Sequence, residues 1–130
     1  MSGDSENPLR QGPAQPSGAP PVDMTRLMIL TAGFPEVLNE IIKIFIDDAE
    51  SSVRAIETAI RNCDPNQVRK IAHSLKGASL NVGADALATT AETLEKNAMA
   101  ATATQLLSYS GQVKQDAVAT TVFLKNILKK

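Results

Sequence analysis

Residues 65–83 read PNQVRKIAHSLKGASLNVG, and this stretch decides the fold because a helical pattern runs through all of it. Its apolar and small side chains recur at steps of three and four residues, as on one face of an α-helix. The members of this stripe are Val68, Ile71, Ala72, Leu75, Ser79 and Val82. Asp64 stands where an N-cap is expected, and Gly83 where a helix commonly ends. We therefore predict a helix over about 65–82 that buries one face.

The segments on either side of this helix show the same periodicity. Helices are predicted over about 35–62, 84–97 and 104–128. A shorter helix near the N-terminus is expected to begin at Asp23 or Thr25 and to stop at Gly33. No segment shows the sustained alternation of a strand, and short connections between long amphipathic helices favour antiparallel neighbours. The predicted fold is all-α: an antiparallel up-down four-helix bundle with an additional short N-terminal helix.

The composition of the 130 residues agrees with a small helical domain preceded by a tail. Aromatic residues make up only 3% of the chain, and a core that is rich in Ala and Leu suits packed helices better than sheets. Five of the seven prolines lie within residues 1–22, which contain too little apolar surface to offset the entropy of ordering. We predict a disordered tail over 1–22 and a helical bundle over 23–130.

The composition argues against several classes of function. The single cysteine, Cys63, forms neither an intramolecular disulfide nor a thiolate zinc site, and one histidine is too few for a histidine zinc site. A Ser-His-Asp triad is not favoured, because Ser74 and His73 point apart on a helix. No phosphate-binding glycine loop is present, so no ATP site of a kinase is predicted. The net charge of −1 and the lack of a long apolar run predict no binding to nucleic acid or membrane. No metal site is predicted because metal-binding side chains are too few, and a cytoplasmic location is predicted because the N-terminus lacks the pattern of a secretory signal.

The one histidine of the chain stands on the polar side of the predicted central helix. His73 points about 160° away from Leu75, which belongs to the inner stripe. Its neighbours at three and four residues are Arg69, Lys70 and Lys76, together with a glycine. Neutral imidazole is nucleophilic near neutral pH, and these cations are suited to offset the charge of a phosphoryl group. The cluster therefore indicates a phosphoryl carrier.

Gly77 is the most unusual residue of this cluster. A glycine inside a helix costs about 0.5–1 kcal/mol relative to alanine. Because Gly77 lies on the side of His73, its missing side chain leaves space for a phosphoryl group and for a partner protein. Close packing against a neighbouring helix is the competing explanation.

The run His-Ser-Leu-Lys-Gly-Ala-Ser over residues 73–79, followed by Asn-Val-Gly-Ala over 81–84, closely resembles the signature of histidine phosphotransfer (HPt) domains. The resemblance covers helix order and length over about 34–128 and the motif itself over about 69–94. It implies that His73 is the phosphorylated residue, that Lys76 interacts with the phosphate and that Gly77 clears the site. Such domains bind no nucleotide and need no cofactor of their own.

The resemblance also implies the partners. HPt domains exchange a phosphoryl group with an aspartate of a response-regulator receiver domain, which supplies an acidic pocket and Mg²⁺, and they act downstream of a sensor histidine kinase. Leu80, together with Ile44 or Ile46 on the preceding helix, is expected to dock against the receiver.

One alternative stays open at this point. The alternative to the carrier is a non-catalytic helical module that binds receiver domains as an inhibitor or scaffold without phosphotransfer. The sequence does not separate a free-standing carrier from a domain of a larger sensor kinase. A monomer is expected, because a closed bundle with one phosphorylatable face requires no second copy.

Overall fold

A computed structural model describes residues 20–128, and this range contains five α-helices. In chain order they are α1 (Met24–Leu30), α2 (Pro35–Arg61), α3 (Pro65–Val82), α4 (Asp85–Asn97) and α5 (Ala103–Leu128). No strand occurs among the described residues. The predicted all-α class and the short N-terminal helix are confirmed.

The four long helices form a closed ring of neighbours. Helix α2 packs against α3 and α5, and α4 packs against the same two helices. Helices α3 and α5 therefore lie diagonally opposite each other in a four-helix bundle, and the short α1 packs against α3. This arrangement places two different outer faces, those of α3 and α5, on opposite sides of the molecule.

The helix ends follow the capping chemistry that the sequence indicates. The Asp23 carboxylate accepts a hydrogen bond from the backbone N–H of Thr25 at 3.1 Å, so Asp23 rather than Thr25 begins α1. Asp64 caps α3 in the same way through the N–H of Gln67, also at 3.1 Å. Gly83 ends α3 in the left-handed conformation, with φ +82°.

Two residues are buried where the sequence predicted exposure. Residues 1–19 of the predicted tail lie outside the described range, but Val22, placed at the end of that tail, is fully buried. Ile46, predicted as an exposed docking residue, is only 7% exposed. It follows Ile42 by one turn and precedes Ala49 by one turn, and both of these residues are buried, so Ile46 belongs to the core face of α2.

Helix α1 is attached firmly to the turn between α3 and α4. The Arg26 guanidinium donates to both carboxylate oxygens of Asp85 at 2.8 Å and to the carbonyl of Leu80 at 2.6 Å. The N–H of Asp23 donates to the carbonyl of Gly83 at 2.8 Å. The N-terminal segment therefore covers the end of the bundle at which α3 finishes.

Candidate functional site

His73 projects from the outer face of α3. Its side chain is 65% exposed, whereas Ala72 and Leu75 on the same helix are 0% and 2% exposed. The burial of this inner stripe fixes the rotation of α3 about its axis, because turning the helix would expose the stripe. The same rotation holds the imidazole on the outer surface of the bundle.

A carboxylate on the next helix orients the imidazole. Nδ1 of His73 lies 2.8 Å from Oε2 of Glu95, which is on α4 and is 19% exposed. An ionised carboxylate only accepts hydrogen bonds, so Nδ1 carries the hydrogen and donates it. In the neutral ring the lone pair is then on Nε2, the nitrogen that does not contact Glu95. The contact with Glu95 therefore makes the two nitrogens of the His73 ring chemically different.

Glu95 also holds Lys76, so the three side chains form one cluster. Nζ of Lys76 lies 3.2 Å from Oε1 of Glu95, so the two side chains form an ion pair. Burial by itself raises the pKa of Glu95, but the contacts with His73 and Lys76 outweigh burial and hold the pKa below the usual glutamate value. The carboxylate therefore stays charged at neutral pH, and its contribution to stability is lost only as the pH falls through its lowered pKa.

The other two predicted cations point elsewhere in this structure. Nη2 of Arg69 donates to the side-chain oxygen of Asn66 at 2.8 Å. Lys70 lines an open groove of about 330 Å³ between α2 and α3, together with three serines and the amide of Gln67. Of the three cations predicted around His73, only Lys76 is connected to it, through Glu95.

The space around Gly77 explains its absent side chain. Gly77 is exposed, and a Cβ atom built on it meets no atom within 4 Å. Packing against a neighbouring helix therefore does not require a glycine here. Since α3 would be more stable with alanine at this position, the open surface beside His73 is the feature that the glycine preserves.

Two of the three predicted docking residues are exposed. Leu80 is 47% exposed and lies two turns beyond His73 on the same face of α3, about 10 Å along the axis. Ile44 is 58% exposed on α2, whereas Ile46 is in the core. Ile44 and Leu80 stand almost equally far from Cys63 in the turn between α2 and α3, so antiparallel packing brings them to the same end of the bundle.

Glu95 was missing from the sequence prediction, although the sequence contains a signal for it. The turn at Gly83 and Ala84 joins two antiparallel helices, so residues equally far before and after that turn lie level. His73 and Glu95 meet this condition to within one residue. Leu94, directly before Glu95, points inward and places the carboxylate at the edge of the core. Glu95 could therefore have been predicted from the register of the two antiparallel helices, although it lies outside the local motif.

The residues described here contain no group of three or more His, Cys, Asp or Glu side chains that is placed to hold a metal ion. No described helix combines the length and the apolar character needed to cross a membrane.

The comparisons with known proteins identify the family. The Hpt domain family matches residues 40–122, and the chain belongs to this family. The chain is similar to the crystal structure of histidine-containing phosphotransfer protein B from Pseudomonas aeruginosa PAO1, with 26% identity and a TM-score of 0.77 over 84% of this chain and 95% of that one. A rice protein described as a histidine-containing phosphotransfer protein has the same fold, with 23% identity, a TM-score of 0.76 and coverage of 84% and 80%. A search of curated proteins gave no match.

Membership in this family establishes the general role of the chain. It is a histidine phosphotransfer domain with a role in phosphorelays, and it interacts with the other components of such relays. His73 lies on an open helix face beside Lys76 and Gly77, and its phosphorylation stays a prediction from the motif.

Proposed function

We propose that this protein accepts a phosphoryl group on Nε2 of His73 from the aspartyl phosphate of a receiver domain, or from a hybrid sensor kinase. It then passes the group to the aspartate of a response regulator. The observation that carries this proposal is the 2.8 Å contact of Nδ1 with Glu95 on an imidazole that is 65% exposed. That contact directs the unprotonated nitrogen away from the bundle, where a partner's active site reaches it. Such a carrier works in the cytoplasm.

The transfer needs no proton acceptor on this chain. The lone pair of Nε2 attacks phosphorus in line with the leaving aspartate oxygen, so one N–P bond forms and one P–O bond breaks. The hydrogen on Nδ1 stays in place, and the ring becomes a phosphorylated imidazolium. Its positive charge is stabilised by the carboxylate of Glu95. The partner supplies Mg²⁺ and most of the stabilisation of the phosphoryl oxygens.

Lys76 is placed to respond to the phosphoryl group. Its ammonium pairs with Oε1 of Glu95 at 3.2 Å, one turn from His73 on α3. A phosphoryl group on His73 brings additional negative charge to the same surface and competes for this ammonium. Lys76 therefore acts as the local cation, while Arg69 and Lys70 contribute to the charge of the surface that the receiver meets.

We propose that Glu95 is a positioning residue for the transfer. Glu95→Ala is expected to slow phosphoryl acceptance about ten-fold, because a hydrogen bond to a charged group is worth about 1.5–3 kcal/mol when buried and less at this exposed ring. Glu95→Gln keeps an oxygen that accepts from Nδ1 but loses the negative charge, so it is expected to recover only part of the rate. Nitrogen NMR of the ring should show the Nδ1–H form in wild type and a mixture in Glu95→Ala. Equal losses in both variants would show that orientation is not the role of this residue.

The docking surface for the receiver is proposed to extend from His73 toward the end of the bundle covered by α1. Val37, Ile44 and Ser51 are seven residues apart and share a face of α2, and Ser51 lines the groove beside α3. Val37 and Ile44 are 42% and 58% exposed, and Phe34 at the start of α2 is 60% exposed. With Leu80 these side chains form an apolar surface next to the nucleophile, and a receiver domain is its occupant.

Ile44→Glu tests this surface. The new carboxylate is expected to weaken receiver binding about ten-fold or more, because docking would bury an unpaired charge. Met99→Glu is the matched control, since Met99 is 60% exposed but lies in the turn between α4 and α5, at the other end of the bundle. Binding measured by calorimetry should fall only for Ile44→Glu. Equal affinities of the two variants for the receiver would show that Ile44 is not part of the interface.

The decisive experiment is transfer from a phosphorylated receiver domain in the presence of Mg²⁺. We expect label on this chain that is labile in acid and stable in base, with peptide mapping to His73. If receivers bind but no label appears on the chain, the protein acts as an inhibitor or scaffold of receiver domains. Label at any other residue contradicts the proposed site.

A further inference from the structure

Asp48 is an exposed carboxylate on the side of α2 that borders α3. Ser51 and Ser52 follow it by three and four residues, and both line the groove between these two helices. Residues at these spacings are neighbours on a helix surface, so Asp48 shares their side of α2. Ile44 precedes it by four residues and belongs to the proposed docking surface. Asp48 therefore stands between the exposed apolar residues of α2 and the groove.

The position of Asp48 along the bundle is close to the site on α3. Residues of α2 and α3 that are equally far from Cys63 in the turn between them lie level, because the two helices are antiparallel. By this count Asp48 is level with Ala78, one residue beyond Gly77 and about 7.5 Å along α3 from His73. Gly77 leaves the surface open there. A receiver that reaches both the imidazole and the apolar residues of α2 therefore covers Asp48.

No cation in the described part of the chain neutralises this carboxylate. Asp48 takes part in none of the ion pairs formed within residues 20–128. On α2, Lys43 and Arg54 point elsewhere, about 140° and 120° around the helix from Asp48. On α3, Lys76 is paired with a carboxylate of α4, and the level of Lys70 is about 12 Å away along the axis. Asp48 therefore meets a partner as a free negative charge.

We propose that Asp48 selects receiver domains that place a lysine or arginine side chain opposite it. This inference rests on the proposed docking of a receiver over His73 and Ile44. Docking removes water from the carboxylate, and a carboxylate without water or a partner is strongly unfavourable. A cation on the receiver converts the same burial into an ion pair with charge-assisted hydrogen bonds. Receivers with an apolar or acidic side chain at this position are disfavoured, so one residue discriminates among similar domains.

Two further carboxylates of α2 favour the approach of a basic partner. Asp47 and Glu40 are both exposed, and neither forms an ion pair within residues 20–128. Asp47 is about 160° around the helix from Phe45 and from Ala49, which are both buried, so it points straight out from the bundle. These two carboxylates add to the negative potential that attracts a cation. Asp48, on the side next to α3, is the one that the docked receiver contacts.

Binding of a receiver to Asp48→Asn tests the proposal by the direction of the change. With a cation opposite, the variant leaves that cation unpaired in the complex, and the affinity is expected to fall about ten-fold or more. Without one, the wild-type carboxylate is itself unpaired in the contact, and its removal would leave the affinity unchanged or raise it. Asp47→Asn is the matched control, because it removes the same charge from the adjacent residue. It should bind like the wild type.

The measurement is calorimetry with the receiver domain that donates label to this chain. The loss for Asp48→Asn should persist in about 0.5 M salt, because salt screens attraction over long distances but not an ion pair within a contact. A loss that disappears in salt, or equal losses for Asp48→Asn and Asp47→Asn, would show that the charge acts only by steering and would overturn the proposed contact.

Charge exchange across the contact identifies the residue of the receiver. Asp48→Lys is expected to weaken binding about 100-fold, because two cations would meet. Changing one surface Lys or Arg of the receiver to Glu should restore binding to this variant and weaken binding to the wild type. If Asp48→Asn binds at least as tightly as the wild type, or if no single reversal rescues Asp48→Lys, the proposal is wrong, while label on His73 would still support the carrier. A wild type that binds no receiver would overturn both proposals.

Discussion

His73→Gln is expected to abolish phosphoryl acceptance and to leave the fold intact. Glutamine offers no nucleophilic nitrogen, so no N–P bond can form at this position. The side chain of His73 is 65% exposed and its polar contact is with Glu95, to which the glutamine amide can still donate. Substitutions at such surface positions usually change the free energy of unfolding by less than about 0.5 kcal/mol. The measurement is label transfer from a phosphorylated receiver, with thermal unfolding alongside.

Ser74→Ala provides the control for this prediction. Ser74 is the hydroxyl next in sequence, and its side chain lines the groove between α2 and α3 rather than the surface of His73. The variant should accept label as the wild type does. If His73→Gln kept its label and Ser74→Ala lost it, the phosphate would be a serine ester, stable in acid, and the carrier hypothesis would be wrong.

Most of the fold could be predicted from local sequence patterns. The apolar stripe at steps of three and four residues predicts each long helix, and Asp64 and Gly83 predict the bounds of α3 because their side-chain and backbone preferences fit only a helix end. The start of α5 also has a local signal, since Thr102 and Gln105 cap each other at 2.9 and 3.1 Å, a pairing that the prediction of a start near 104 did not use.

The parts that were missed depend on contacts between elements. Val22 is buried because the segment before α1 lies against the bundle. The prolines around it gave no indication of this packing. Ile46 is buried because the core face of α2 is wide enough to contain two successive residues, Phe45 and Ile46. Glu95 is part of the site only because antiparallel packing brings α4 level with His73. The local motif identifies His73, but Glu95, which contacts its ring, is found only from the tertiary structure.

The site is largely ordered before any partner binds, which suits a short-lived protein contact. His73 stands on a helix whose rotation is fixed by a buried stripe, and its ring is oriented by the carboxylate of Glu95, so little of this side chain needs to be ordered when a partner binds. Beside it, Lys76 pairs with Glu95, Arg69 donates to Asn66, and Gly77 leaves the surface open. They shape the surface that the partner meets.

Gly83→Ala is expected to lower the free energy of unfolding by about 2–5 kcal/mol. The residue has φ +82°, a conformation that costs an L-residue about 1–2 kcal/mol. In addition, an alanine Cβ would lie 2.9 Å from the carbonyl oxygen of Asp23, which is backbone and cannot rotate away. Overpacking of this kind costs about 1–3 kcal/mol. Relief of the clash requires α1 to move, and with it the contacts of Arg26 with Asp85 and Leu80. Denaturant unfolding measures the loss.

Gly33→Ala separates the two contributions. Gly33 also has a positive φ, +75°, but a Cβ there meets nothing within 4 Å. Its replacement should cost only the conformational part, about 1–2 kcal/mol. A larger loss for Gly83→Ala therefore measures how tightly α1 is held against the turn between α3 and α4. Equal losses for the two variants would mean that α1 can move away from Gly83 at no cost in free energy. The hydrogen bonds between α1 and the end of α3 would then contribute little to stability.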